Sequence, residues 1–331
     1  MIAAIHPATA IAHPNIAFIK YWGNQDEALR LPLTGSISMN LDGLFTSTTI
    51  SPDENLTTDS FWLDGVSQSG SALDRVINYL DQVRNLAEKE FYVRVESTNN
   101  FPAGAGIASS ASAFAALAVA AASVFGLDMS EAQLSALARL GSGSASRSIP
   151  AGFVEWQPAR THNNSYARSI APADHWGLID VIAILNPGQK KTGSTEGHRL
   201  AQTSPLNVAR VALVPERLER CRQAILERDF EGFAEVTETD SEHMHAVMRT
   251  STPALVYQTS ETLAILRQVK RWRDQGHAVC ATVDAGPNVH VIALAAEREW
   301  LEKELNSIGT IKRLITCRPG SGARLLSESP G

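Results

Sequence analysis

Residues 102 to 111 read Pro102-Ala103-Gly104-Ala105-Gly106-Ile107-Ala108-Ser109-Ser110-Ala111, a run suited to holding phosphate. Gly104 and Gly106 let the backbone come close to a ligand, and the run opens onto a long alanine-rich segment expected to be helical. Unpaired N–H groups at a helix N-terminus, with the helix dipole behind them, favour a polyphosphate. Ser109 and Ser110 add hydroxyls that suit phosphate oxygens or a Mg²⁺ ion bound to them. The run lacks the GK[ST] ending of a Walker loop and the βαβ setting of a dinucleotide fingerprint. A tight turn without a ligand is the plain alternative. The serines argue against it, because alanine would make a better first helical turn.

Other residues stand out by their surroundings. Asp284 ends a strand-like run just before Ala285-Gly286-Pro287-Asn288, so it either caps that turn or projects a carboxylate into a cleft. Lys20 interrupts the apolar run Phe18 to Trp22, where a lysine is costly unless it snorkels at an edge or has a partner. Arg147 lies among glycines and serines, and its guanidinium suits a carboxylate or a phosphate in bidentate fashion. Asp240, His243 and His245 invite a metal reading, but their spacing does not put all three on one helix face. No dedicated protein metal site is expected.

The elements that must position these groups are α and β in mixture. Strands are expected at Asn15–Trp22, Ser36–Leu41, Phe45–Ser51 and Phe91–Ser97, with a helix over Ala72–Leu86 that puts Leu73, Val76, Leu80 and Val83 on one face. Ile107–Leu127 reads as a helix buried all round, and Ser130 is a natural N-cap for a helix to Leu140. Gly141–Ser148 reads as a loop, Gly152–Gln157 and Ile179–Leu185 as strands. Helices follow over Asn207–Glu227, Phe230–Met248 and Ser260–Gln275. Ala278–Asp284, Val289–Leu294 and Ile311–Cys317 are expected as strands. The class is α+β in two lobes, 1–180 and 181–331.

Composition narrows the function. The chain has 331 residues, 44% of them hydrophobic, and a net charge of -6. That charge argues against a nucleic-acid partner but not against an anionic small molecule bound by a local cationic cluster. The apolar segment Ile107–Leu127 lacks interfacial aromatic anchors and flanking basic residues, so a membrane span is not expected. Cys221, Cys280 and Cys317 show no paired spacing and the N-terminus has no basic n-region, which together suggest a reducing, cytoplasmic setting.

Six motifs carry a family resemblance: NIAFIKYWG at 15–23, NNFPAGAGIASSAS at 99–112, GSGSASRS at 141–148, GFVEWQ at 152–157, GSTEG at 193–197 and DAGPN at 284–288. The phosphate run resembles the nucleotide loop of the GHMP small-molecule kinases. The six together, in order over nearly the whole chain, resemble the diphosphomevalonate decarboxylase family. The resemblance implies a GHMP-kinase-like fold, with an N-terminal lobe like ribosomal S5 domain 2 and a ferredoxin-like C-terminal lobe. It implies ATP and Mg²⁺, a phosphorylated mevalonate as substrate, and often a homodimer. ATP would phosphorylate a tertiary 3-hydroxyl, and the 3-phosphate would leave with CO₂. Asp284 is then the base, Lys20 orients it, and Arg147 binds the carboxylate or the 5-phosphate. Tyr21, Trp22, Gly23, Asn24, Arg75, Ser142, Gly143, Ser144, Ser194 and Thr195 would surround the phosphorylated substrate. Pro102, Ala103, Gly104, Ala105, Gly106, Ser109 and Ser110 would hold the nucleotide. A kinase that stops at the 3-phosphate and a non-catalytic nucleotide sensor are the alternatives.

The chain departs from the family at two points. Asn24 stands where the family has a second lysine near the outer phosphate of the substrate, and His198 replaces a methionine, either supplying charge or filling space. Two unit charges ~4 Å apart at an effective dielectric near 20 interact by about 4 kcal/mol. A quarter to half of that is a roughly 5- to 30-fold change in binding. The substitution therefore favours mevalonate 5-phosphate as substrate and isopentenyl phosphate as product, with the 5-diphosphate as the alternative.

Overall fold

The structure is a computed structural model and describes residues 6–101, 109–185 and 193–326, with the side chain of Ser194 outside the description. Strands β1 (Ala8–Ala12), β2 (Asn15–Ile19), β3 (Asn24–Asp26), β4 (Leu31–Pro32), β5 (Ser36–Asp42), β6 (Thr46–Pro52), β7 (Ser60–Leu63) and β8 (Val66–Ser67) come first. Helix α1 (Ser71–Ala87) and strand β9 (Val93–Asn99) follow, then α2 (Ser109–Val124), α3 (Glu131–Gly141) and a 3₁₀ helix at Gly143–Ser148. Next are β10 (Phe153–Trp156), β11 (Ala167–Ala171), β12 (Leu178–Ile184), α4 (Ser194–Leu200), α5 (Asn207–Glu227), α6 (Phe230–Thr250) and α7 (Ser260–Asp274). The chain closes with β13 (Val279–Thr282), β14 (Val289–Leu294), α8 (Arg298–Asn306), β15 (Arg313–Pro319) and β16 (Arg324–Leu325).

Two large sheets result, and the class is α+β as the sequence predicts. One runs β16-β1-β6-β9-β7-β8; the other runs β11-β10-β5-β15-β12-β14-β13, with β2 beside β5. The second sheet joins strands from both sides of residue 180, through Arg318 opposite Asp42 and Pro319 opposite Leu41. Its central strands are apolar on both faces because both faces are covered. Ile179, Val181 and Ala183 of β12 pack in the core with α7 and α8, while Leu178, Ile182 and Ile184 pack in the core with α5 and α6. Period-two alternation thus serves two cores from one strand.

Helix α2 lies against the first sheet. Ala115, Ala116, Ala118, Ala120 and Ala121 are completely buried there, and larger side chains would overpack the contact. The expected cap of α3 is present: Ser130 and Gln133 form a capping box. Two local expectations differ. The loop at Gly141–Ser148 is largely a 3₁₀ helix. Strand β2 stops at Ile19, so Lys20 follows the strand instead of lying within it. Among the described residues no helix is long and apolar enough to cross a membrane.

Candidate active site

Lys20 is pinned by its main chain before its side chain does anything. Its N–H donates to Asp240 Oδ2 at 2.7 Å, and its carbonyl accepts from Arg210 Nη2 at 2.8 Å. Asp240, wholly buried on the inner face of α6, also accepts from Arg217 Nη1 at 3.1 Å and Arg210 Nη2 at 3.4 Å. So fixed, Lys20 points Nζ at Asp284 Oδ1, 2.6 Å away. The same helix holds the other partner. The Val283 N–H donates to Ser241 Oγ at 3.1 Å, and the Val283 carbonyl contacts His245 Nε2 at 3.2 Å. The Asp240, His243 and His245 run is therefore a buttress. Among the described residues no group of three potential ligands forms a metal site.

Electrostatics define the pair. Burial pushes the Asp284 carboxyl up, but Lys20, His290 and Arg147 together outweigh it and hold its pKa below the usual 3.8. Burial lowers the Lys20 pKa below 10.5, and Asp284 only partly restores it. The two side chains form a close ion pair, with the carboxylate partly open to the cleft.

The cleft beside them, about 110 Å³, is lined by Lys20, Tyr21, Trp22, Arg75, Ser110, Ser142, Gly143, Ser144, Arg147, Thr195 and Asp284, and also by Asn15, Arg30 and His198. The sequence analysis singles out all of the first eleven. Arg147 donates to Ser36 Oγ at 2.7 Å, Ser38 Oγ at 3.1 Å and Asn15 Oδ1 at 3.1 Å, all neutral acceptors. Burial brings its pKa down to about 10, with Asp284 opposing. Arg75 donates to Gly141 O at 2.7 Å and lies over the Phe114 ring. Arg30 donates to Leu140 O at 2.9 Å. Ser110, Ser142 and Ser144 form a chain of hydroxyls at 3.1 and 3.3 Å. Gly143 must lack a side chain, because a Cβ there would stand 2.5 Å from the Tyr21 ring.

Gly23 and Asn24 are not on the cleft wall. Gly23, with φ at 94°, takes a turn that few side chains tolerate, and its N–H donates to His198 Nδ1 at 3.0 Å. Asn24 is 2% exposed, accepts from the Tyr21 hydroxyl and donates to Glu27 at 3.0 Å. His198 stacks on Tyr21 with centroids 4.2 Å apart, and burial with Arg30, Arg147 and Arg210 nearby pushes its pKa down to about 3. His198 is therefore neutral and fills space; the charge considered for it in the sequence is not supplied. Pro102, Ala103, Gly104, Ala105 and Gly106, and the side chain of Ser194, lie outside the described residues.

A second cavity of about 200 Å³ adjoins the first, sharing Arg75 and Ser110 with it and adding Ser109. Phe61, Leu63, Val76, Val95, Phe114 and Leu117 make it apolar. No acidic side chain lies in the first turn of α2. An apolar slot for a flat base, opening on hydroxyls and cations at a helix N-terminus, suits a nucleoside polyphosphate. A triphosphate brings most of the oxygens a Mg²⁺ ion needs, and the Ser109 and Ser110 hydroxyls are the side-chain donors at hand.

Arg30 and the buried Asp240 network are missed by sequence reasoning. Signals exist for both. Arg30 sits between Leu29 and Leu31, an apolar setting like that of Lys20, and Asp240 falls in helical register with Phe233, Val236, Thr237, Met244 and Val247, all buried.

Comparison with known proteins identifies the family. The diphosphomevalonate decarboxylase-like N-terminal domain matches residues 12–167, and the mevalonate 5-diphosphate decarboxylase C-terminal domain matches residues 180–324. Diphosphomevalonate decarboxylase of Rattus norvegicus is 38% identical over 309 residues, 86% of this chain and 76% of the relative. That of Candida albicans is 39% identical over 304 residues, 86% of this chain and 83% of the relative. The crystal structure of mevalonate diphosphate decarboxylase from Staphylococcus aureus superposes with a TM-score of 0.93 at 36% identity, covering 99% of this chain and all (100%) of that one. A related structure in complex with MVAPP, AMPPCP and magnesium superposes with a TM-score of 0.92 at 34% identity, covering 98% of this chain and 100% of that one. The chain belongs to the diphosphomevalonate decarboxylase family.

Proposed function

We propose that this chain is an ATP-dependent carboxy-lyase that converts mevalonate 5-diphosphate to isopentenyl diphosphate, CO₂, ADP and phosphate. The observation that carries the reading is the charge balance of the cleft. Beside the Lys20–Asp284 pair stand Arg30, Arg75 and Arg147, none of them in an ion pair with a carboxylate among the described residues. Unneutralised guanidiniums lining one cleft call for a substrate bearing several negative charges. The relatives named above carry diphosphomevalonate in their names, and one is solved with MVAPP, AMPPCP and magnesium.

In this reading the 3-oxygen of the substrate bonds to the γ-phosphorus of ATP as the bond from that phosphorus to ADP breaks. The hydroxyl proton passes to Asp284. Because the carboxyl has a lowered pKa it is a weak base, so the proton moves late, once bonding to phosphorus has made the hydroxyl acidic. Lys20 keeps Asp284 ionised and aimed. Bound Mg²⁺ neutralises phosphate charge along the transfer path. The C3–O bond then breaks with phosphate as leaving group, and the C1–C2 electrons form the terminal double bond as CO₂ departs. Arg147, held by neutral oxygens, steadies the carboxylate without a tight clamp that would resist its loss. Residues 1–180 serve as the nucleotide lobe and 181–331 as its partner, a division supported by the break between the two family domains at residues 167 and 180.

The mevalonate 5-phosphate reading, favoured in the sequence by Asn24 alone, becomes the second reading. The substitution removes one cation, but the cleft retains a surplus of them. The test is CO₂ release from 1-labelled substrates with ATP. The 5-diphosphate is expected to exceed the 5-phosphate in kcat/KM by at least about tenfold. The opposite ranking restores the second reading, and phosphate transfer without CO₂ makes the protein a kinase.

A further inference from the structure

We infer that Arg30, side by side with Arg75, seats the outer phosphate of the 5-diphosphate in this chain and so replaces the lysine missing at position 24. The inference rests on the reading proposed above. Position 24 itself has no way to supply a cation: Asn24 is buried behind the wall and engaged with Tyr21 and Glu27. His198, next to it, accepts the Gly23 N–H through Nδ1 and is neutral.

Arg30 lies on the same β3–β4 hairpin as Asn24, one residue before Leu31, and takes a left-handed backbone conformation with φ at 49° that most side chains avoid. That turn brings its guanidinium to the cleft. The Leu140 carbonyl receives Arg30 Nε at 2.9 Å and the next carbonyl, Gly141, receives Arg75 Nη2 at 2.7 Å. These are the last carbonyls of α3, where the helix dipole favours positive charge. Two consecutive acceptors thus hold two guanidiniums together while neither meets a carboxylate among the described residues. The repulsion is felt: after burial, Arg30 is the further cause that brings the Arg75 pKa down to about 10. An anion lying between them relieves it.

The influence of the charges also separates the two ends of the cleft. Lys20 and Arg147 act on Asp284, and Arg147 also reaches Tyr21 and His198, whereas Arg30 acts on Arg75, Tyr21 and His198 and is not among the main charges acting on Asp284. Arg30 therefore belongs to the end away from the reacting oxygen. A 5-phosphate reaching Arg75, Tyr21 and the serines leaves Arg30 without its partner; a 5-diphosphate reaches both arginines. Arg30 is on this account a specificity residue that separates the two substrates.

The test uses Arg30→Gln and Arg30→Lys in the full chain, with inorganic pyrophosphate and inorganic phosphate titrated calorimetrically. Arg30→Gln is expected to weaken pyrophosphate by about tenfold or more and phosphate by less than about threefold. Arg30→Lys, which keeps the charge but loses the fork, recovers most of the loss. In turnover, Arg30→Gln raises KM for the 5-diphosphate with kcat within about threefold. Should Arg30→Gln melt early, the Arg30 Nε resonance of the unaltered protein is followed instead; it is expected to move with pyrophosphate and not with phosphate. Equal losses for both anions, or a pyrophosphate Kd within about twofold of the parent, overturns the inference. Failure of the unaltered protein to decarboxylate the 5-diphosphate overturns the functional reading separately, because the pyrophosphate titration needs no turnover.

Discussion

The two ends of the cleft treat charge in opposite ways. At one end Lys20 and Asp284 neutralise each other at 2.6 Å, and α6 grips the backbone at Lys20 and at Val283, just past the strands β2 and β13. At the other end Arg30 and Arg75 are held by the Leu140 and Gly141 carbonyls, with Arg75 also over the Phe114 ring, and among the described residues neither is paired with a carboxylate. The first arrangement fixes geometry and tunes acidity; the second stores a field that an incoming anion discharges. Groups that handle a proton are expected to affect kcat, and groups that wait for phosphate are expected to affect KM.

The comparison breaks most visibly at Asp284. Asp284→Asn keeps the shape and removes the base, and kcat is expected to fall by roughly 10²–10⁴-fold with nucleotide affinity nearly unchanged in a titration. Next is the buttress. Asp240→Asn leaves Arg210 and Arg217 buried without their carboxylate, and denaturant unfolding is expected to show a loss of about 3–5 kcal/mol. Part of that loss is expected to appear as a lower kcat, since the Lys20 N–H loses its charged acceptor. At the phosphate end, Arg75→Gln is expected to raise KM for the phosphorylated substrate roughly tenfold while kcat stays within about threefold.

The smallest expected effect is on pH dependence. The Asp284 pKa is lowered, so the base form is present down to below pH 3.8 and the acid limb of kcat/KM due to this group lies there. The stability that Asp284 contributes is likewise present above its unfolded pKa and is lost as pH falls through the folded one. The Lys20 pKa is also lowered, so its charge begins to be lost on the alkaline side before pH 10.5, and activity is expected to decline there. An alkaline limb at or above 10.5 argues that Lys20 is solvated or differently paired.

Local signals in the sequence were enough for the long helices and for the cap at Ser130. Helix α5 has the bounds Asn207–Glu227 that its pattern predicts. Lys20 stands out in the sequence as a costly lysine in an apolar run and Asp284 as a turn cap or cleft carboxylate, while their pairing is implied only by the family resemblance; the two meet although 264 residues separate them. What the pattern could not show is set by distant pairing. Strand β16 is two residues long and exists only because β1 offers it an edge. The apolar cavity draws on β7, α1, β9 and α2, which share no local motif. Asp240 stands out in the sequence by spacing and acts in the structure by burial. Its spacing to His243 and His245 raised a metal question, whereas its place on the buried face of α6 makes it an acceptor for Lys20, Arg210 and Arg217.

The central claim is that Asp284 takes the proton from the alcohol that ATP phosphorylates, before carbon dioxide is lost. A single-turnover chemical quench with γ-labelled ATP and 1-labelled mevalonate 5-diphosphate addresses it most directly. The account predicts one CO₂ per ADP for the unaltered protein, and for Asp284→Asn neither label transfer to the substrate nor CO₂ on the same timescale. Label transfer or CO₂ release by Asp284→Asn at the parental rate would contradict it.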